Sequence, residues 1–178
     1  MKKLFATTTA LLTISLLAAC GADPHECSDQ MGCLEISPGS PLVIGALLTI
    51  YGDQSGTGLQ ALDEIETIIE KTGQILGHEI ELSWQGTDCS EENARLSATL
   101  LTLTSNLLAV IGPTCATDEE IANPILEDAG LPVISPSPSA TEAFRRLVSA
   151  IEQTTIRQTD GTLIIPGTVL QQAIQDQP

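Results

Sequence analysis

Hydroxyl side chains and glycines gather at four places in this chain, and those are where chemistry could sit. The stretches are Tyr51–Gly58, Gly86–Ser90, Gly112–Thr117 and Ser135–Thr141, and they hold Ser55, Thr57, Thr114, Thr117, Ser135, Ser137, Ser139 and Thr141. Hydroxyls combined with backbone N–H groups at helix starts make a surface that holds a carboxylate. Ordinary loop and capping duties would account for most of the same residues. Catalysis finds less support. No serine lies in a Gly-x-Ser-x-Gly elbow, and the glycine-rich loop lacks the Lys-Ser/Thr of a phosphate loop. His25 lies in a polar stretch, and His78 stands beside Gly77, where a lone histidine is more often a surface residue than a base. A phospho-acceptor site would need an acidic pair after the first strand, and Asp53 is single. Apart from Cys20 the cysteines are Cys27, Cys33, Cys89 and Cys115; without Cys-x-x-C spacing, and with two histidines, they do not suit zinc. These residues leave ligand binding and plain loop chemistry evenly open, and they predict no enzyme, no cofactor and no resident metal.

The amino terminus carries an address. Lys2 and Lys3 precede an uncharged stretch from Leu4 to Ala19 whose apolar heart is Leu11, Leu12, Ile14, Leu16 and Leu17. That is the plan of a secretory signal, and it is too short to span a bilayer comfortably. Ala18 and Ala19 stand just before Cys20 and Gly21, which resembles the bacterial lipobox. The resemblance implies that residues 1–19 are removed and that Cys20 is acylated. The chain would then be anchored on the extracytoplasmic face of a membrane, in the periplasm or at the cell surface. Each buried CH₂ of such an anchor is worth about 0.8 kcal/mol.

Removal of residues 1–19 leaves 159 residues, enough for one domain with a real core. The net charge of −16 becomes −18 once Lys2 and Lys3 are gone. An acidic surface of that size repels nucleic acid and anionic headgroups, so nucleic-acid partners are excluded. Tyr51, Trp84 and Phe144 are then the remaining aromatics, too few for a stacking platform. Export also changes the reading of the four other cysteines. An even number in an oxidising compartment suggests two disulfides, with three pairings open.

The elements that must position the hydroxyls follow from the pattern of apolar residues. Residues 20–40 are polar and rich in Gly, Asp, Ser and Pro, which reads as a tether. Leu42–Ile50 is a nearly continuous apolar run, as expected of a strand buried on both faces. Leu59, Leu62, Ile65, Ile68 and Ile69 have helical spacing. His78–Trp84 alternates polar and apolar, a strand with one wetter face, nearer the sheet edge. Ser90 caps the next helix, with Glu91 and Glu92 in its first turn. That helix carries Ala94, Ala98 and Leu101 on one stripe and Leu96, Leu100 and Leu103 on another. Leu107–Gly112 is a third strand. Thr117-Asp118-Glu119-Glu120 has the form of a capping box, which predicts a helix to about Asp128. Leu131–Ile134 makes a short fourth strand. Residues 142–153 read as helix, 162–165 as strand and 169–174 as a last turn or two of helix. Strands alternating with helices imply an α/β fold, a parallel sheet flanked by helices with right-handed crossovers. Ligands of such sheets sit outside the carboxyl ends of the strands, and the four hydroxyl-rich stretches fall there.

Val43-Ile44-Gly45-Ala46-Leu47-Leu48, Gly52-Asp53, Gly58 and Gly77-His78-Glu79-Ile80-Glu81-Leu82 together resemble the opening of type I periplasmic solute-binding proteins of ABC importers. Ala109-Val110-Ile111-Gly112-Pro113 and Ala129-Gly130-Leu131-Pro132-Val133-Ile134-Ser135-Pro136 are similar in order and spacing, with the Leu/Ile/Val-binding, branched-chain amino-acid type as the nearest group. That group joins the loops after its second and third strands by a disulfide. The resemblance therefore implies Cys89–Cys115, which leaves Cys27–Cys33 to pinch the tether. Neighbouring parallel strands about 4.8 Å apart bring such loops within bonding range. It also implies a carboxylate grip by Thr57, the Ala116–Thr117 loop, Ser137 and Ser139, and an importer permease as partner. Ala116 departs from the serine usual at that position, so its backbone N–H remains and its hydroxyl is lost.

The larger departure is length, since such proteins are about twice this size and close two lobes on the ligand. The likeness covers residues 42–141 and then jumps. Leu147–Glu152 and Asp160–Ile165 resemble the family's carboxyl-terminal segment, with most of the second lobe absent. The expected organisation is a signal at 1–19, a tether at 20–40, an amino-terminal ligand-binding lobe at 41–141 and a carboxyl-terminal remnant at 142–178. One lobe cannot desolvate a ligand from both sides, so binding of an amino acid or similar carboxylate should be weak or lost. The alternative expectation is a structural or interaction lipoprotein that has lost transport. Surface bared by the deletion would favour self-association.

Overall fold

The computed structural model describes residues 27–176. The signal stretch and Cys20 lie outside the described residues, as does His25. Cys33–Ile36 forms strand β1 and Leu42–Thr49 forms β2, every residue of which is buried. There follow α1 (Ser55–Thr72), β3 (Gln74–Ile75), β4 (His78–Thr87), α2 (Glu91–Thr102), β5 (Leu107–Ile111) and α3 (Ala116–Asp128). The chain continues through β6 (Val133–Ile134), α4 (Ala140–Thr154), β7 (Ile156–Arg157), β8 (Leu163–Pro166) and α5 (Gly167–Gln175).

The main sheet has five strands in the order β3-β4-β2-β5-β6. Strands β4, β2, β5 and β6 are parallel, as the alternation of strands and helices predicts. Strand β3, two residues that the apolar pattern did not read, is added antiparallel to β4 at the edge. Leu76 and Gly77, with φ of 52° and 85°, form the tight turn between them.

Side chains of β2 alternate between two cores. Leu42, Ile44, Ala46 and Leu48 pack on the side of α1, α4 and α5, around Ile65, Phe144, Leu147 and Leu170. Val43 and Leu47 pack on the side of α2 and α3, with Ala98, Leu101, Val110 and Leu126. Burying each such large side chain stabilises by about 1.5–3 kcal/mol. The chain leaves β2 for β4 through α1 on one face, and reaches β5 and β6 through α2 and α3 on the other. Reversal of direction with a change of face is what right-handed crossovers require.

Ile36, at the end of the stretch read as a tether, is 1% exposed and sits in the first of those cores. Strand β1 pairs antiparallel with β8, Cys33 opposite Pro166 and Ile36 opposite Leu163, and β7 completes a second, three-stranded sheet. Asp29 adds a second tie. Its Oδ1 accepts from the Met31 and Thr168 backbone N–H groups, both at 2.9 Å. Burial raises its pKa, but hydrogen bonds from Thr168, Met31 and Val169 outweigh that and hold it below the usual carboxylate value. Asp29 thus occupies the start of α5, whose own N-cap, Pro166, makes no side-chain bond. The Cys27–Cys33 disulfide, Cα–Cα 5.8 Å, closes the same segment.

Candidate functional site

Four loops leave the carboxyl ends of β2, β4, β5 and β6, and the helices that follow begin at one end of the sheet. Glycines let the helices and loops come close there. At Gly58, in the first turns of α1, a Cβ would lie 2.0 Å from the Thr49 carbonyl oxygen. Gly112 has φ of 125°, and a Cβ on it would lie 2.2 Å from the Leu47 oxygen. It turns the chain out of β5 so that the Thr114 hydroxyl accepts from the Thr49 N–H at 2.8 Å.

Beneath the loops lies a buried polar cluster that the pattern of the chain did not announce. Asp118, 0% exposed, accepts at Oδ2 from the hydroxyls of Thr49, at 2.8 Å, and Thr87. Its Oδ1 is buried without a partner. The motif expected to cap α3 is therefore placed two residues off. Cys115 is the N-cap and makes no side-chain cap bond, Thr117 lies inside the helix, and Asp118 turns inward to the ends of β2 and β4. Cys115 instead bonds Cys89, with Cα–Cα 6.0 Å, in the pairing that the resemblance implied. Cys89 holds φ of 65°, a left-handed conformation that costs a non-glycine residue about 1–2 kcal/mol. Cys89, Cys115 and Asp118 have ligand-type atoms within 4.8 Å of one another, but both sulfurs are spent in the disulfide, so they are no metal centre.

Four helices start at this end, and they divide into two pairs. Ser90 caps α2, accepting from the Asn93 N–H, while its hydroxyl donates to Asp88 at 2.6 Å. That bond, then those of Asn93 and the Ser90 N–H, holds the Asp88 carboxyl below its usual value. Ser139 caps α4 by accepting from the Glu142 N–H at 3.2 Å. Glu64 of α1 supplements it, accepting from the Thr141 N–H at 3.1 Å. Hydrogen bonds from Gln60 first, and from Thr141 and Ala140, lower the Glu64 pKa. The starts of α1 and α3 are different, for neither Gln54 nor Cys115 supplies a cap bond. The Ser55 N–H at the start of α1 donates to the Gly52 carbonyl at 3.3 Å, and the helix dipole at both starts favours an anion.

The expected ligand residues fall accordingly. Thr57, exposed, lies in the uncapped first turn of α1. Ala116, exposed, and Thr117, half-buried, lie in that of α3. Among the described residues the hydroxyls of Thr57 and Thr117 make no hydrogen bond. Ser137 is exposed in the loop after β6, but Ser139 already spends its hydroxyl on the cap. Topology brings all five to one end of the sheet, and no hydrogen bond joins them to each other. Arg146 was missed. From α4 it donates to the Ser135 and Ser137 carbonyls at 2.9 and 3.3 Å and fixes that loop. His78 departs from the surface reading: it is buried at 5% exposure, its Nδ1–H donating to the Ser40 carbonyl at 2.7 Å.

The sheet order, the two helical layers and the open strand ends define the architecture of one lobe of a type I periplasmic binding protein. No protein-family profile matches the sequence, and no curated protein matches it. Solved structures do. One is the branched-chain amino acid transporter substrate binding protein LivJ of Streptococcus pneumoniae, in complex with isoleucine, at 25% identity and TM-score 0.52, over 55% of this chain and 29% of that one. Another is an ABC transporter substrate-binding protein of Sphaerobacter thermophilus, 26% identical with TM-score 0.51, over 54% of this chain and 26% of that one. The leucine binding protein LivK of Thermotoga maritima, 21% identical with TM-score 0.50, matches in fold over 65% of this chain and 39% of its own. The chain spans well under half the length of these proteins, and the resemblance drawn from its residues holds for the fold of a single lobe.

Proposed function

We propose that the chain is a lipid-anchored, extracytoplasmic solute-binding lobe that takes the carboxylate of an amino acid or similar molecule at the uncapped starts of α1 and α3. The observation that carries this reading is the pairing of helices just described. Two helix starts take side-chain caps from within, and the two that follow β2 and β5, the neighbouring strands between which the chain order reverses, do not. Backbone N–H groups of Ala116 and Thr117 and the Thr57 hydroxyl would donate to the carboxylate oxygens, with Ser137 beside them. Tyr51, 58% exposed, and Leu59, 50% exposed, leave apolar surface at the same end for a ligand side chain or a covering partner. An ABC importer permease is the partner this reading implies, and no catalytic role enters it.

Calorimetry with leucine, valine and polar amino acids, on the chain from residue 20 onward, tests the proposal. One lobe should bind weakly, near 1 mM, or about −4 kcal/mol. Binding much tighter than that would support a working transport component. No binding at all would favour the alternative, an interaction lipoprotein that has lost transport, consistent with the short span against its structural relatives. Labelling with radioactive palmitate tests the anchor, and label that survives Cys20→Ala would refute it.

A further inference from the structure

We propose that the outer edge of β4, with the groove beside it, takes up an extended basic segment of a partner protein as an added strand. This surface is separate from the strand-end loops, and the proposal goes beyond the solute-binding reading. Three observations meet there.

The first is an open edge. Strand β3 covers β4 only at His78 and Glu79, and from Ile80 onward β4 has β2 on one side and no strand on the other among the described residues. The Thr87 carbonyl accepts from the Ile50 and Tyr51 N–H groups and so faces inward. Alternation along the strand then turns the peptide groups of Ile80, Leu82 and Trp84 to the outer edge. The Ser97 hydroxyl, donating to the Gly86 carbonyl at 3.1 Å, closes the edge just beyond them. A free stretch of this length is a template for strand addition.

The second is the groove on the α1 side of that edge. It has a volume of about 420 Å³ and is lined by Leu82, Trp84, Ile69, Glu66 and Glu70. Trp84, the single tryptophan of the chain, is 39% exposed on an otherwise well-packed sheet face. The indole face is the best aromatic partner for a cation. Side chains of an added strand would alternate, every second one entering this groove.

The third is charge. Glu66 and Glu70 are four residues apart on α1, exposed and alike in sign, an arrangement that weakens a helix by itself. Among the described residues neither forms an ion pair, and the nearest cation in sequence, Lys71, is exposed. A lysine or arginine entering over Trp84 would meet both carboxylates while its stem covers Leu82 and Ile69. The net charge of −16 steers a basic segment toward the chain as a whole.

The test is a titration of the full chain with a blocked hexapeptide of alternating lysine and valine, read by the emission of Trp84. Saturable change at about 10–100 µM peptide is expected. The double variant Glu66→Gln, Glu70→Gln should weaken it about tenfold, since both positions are exposed and the fold does not depend on them. N-methylation of alternate peptide groups, which blocks strand pairing and leaves the charge, should weaken it at least as much. No response up to about 1 mM, an equal response to the glutamate–valine peptide, or equal binding by the N-methylated peptide would each overturn the proposal.

Discussion

The two ends of the main sheet each carry a disulfide, yet the helix starts beside them are finished differently. At the end where β5 and β6 begin, the segment from Cys27 to Ile36 is held by β8, by Asp29 at the start of α5 and by Gly167 donating to the Gly32 carbonyl. Backbone and carboxylate groups there join the amino-terminal segment to the carboxyl-terminal one, while Thr168 Oγ1 and Gln171 Oε1 stay buried without partners. At the other end, Cys89–Cys115 and Asp118 tie the loops together from beneath, while two helix starts above them stay uncapped.

Four measurements could break or sharpen that contrast. The largest effect should follow replacement of both Cys89 and Cys115 by alanine. Their separation is 26 residues, against 6 for Cys27 and Cys33. Loop-closure entropy then puts the loss at roughly 3.5 kcal/mol, readable as a lower urea midpoint. A smaller loss than for the other pair would reverse the assignment of the two ends. Asp118→Ala should cost about 2.5 kcal/mol by the same measurement, because it strips the Thr49 and Thr87 hydroxyls of their acceptor. Asp118→Asn keeps an acceptor, so it should cost less; an equal loss would mean the hydroxyls contribute little.

Replacing Cys27 and Cys33 by alanine should cost roughly 2.4 kcal/mol and leave any ligand binding at the far end unchanged. Asp29→Asn keeps an accepting oxygen and removes only the charge at the start of α5, so it should cost about 0.5 kcal/mol at neutral pH. The Asp29 carboxyl has its pKa lowered in the folded chain. Its contribution is therefore fully present above the unfolded value near 4, and is lost as pH falls through the lower folded value. The gap between wild type and Asp29→Asn should close over that acid range, and a gap that persists there would assign the effect to something other than charge.

Much of the architecture was legible in the residues. Leu42–Ile50 and Leu107–Gly112 read as buried strands, within a residue of those observed, because covering on both faces leaves an unbroken apolar run, and Ser90 read as a cap because its hydroxyl acts three residues away. What could not be read depends on partners distant in sequence. Strand β1 is four residues whose pairing lies with β8 near the other end of the chain. Strand β3 is two residues, too short for any period. The segment Thr117–Glu120 offers a local capping pattern, but the disulfide at Cys115 and the hydroxyls of Thr49 and Thr87 decide where Asp118 turns. Thr57, Ala116, Thr117, Ser137 and Ser139 lie in the segments that follow the carboxyl ends of β2, β5 and β6. That α1 and α3 lack caps while α4 spends Ser139 needed coordinates.

The clasp of β1 on β8 also sets a direction. It fixes Cys27 at the end of the domain opposite the uncapped helices, and Cys20 precedes it by seven residues. Even fully extended, that length of chain reaches about 25 Å. A lipid on Cys20 would thus moor the domain by its closed end, close to the bilayer, with Thr57 and Ala116 presented outward like the face of a buoy.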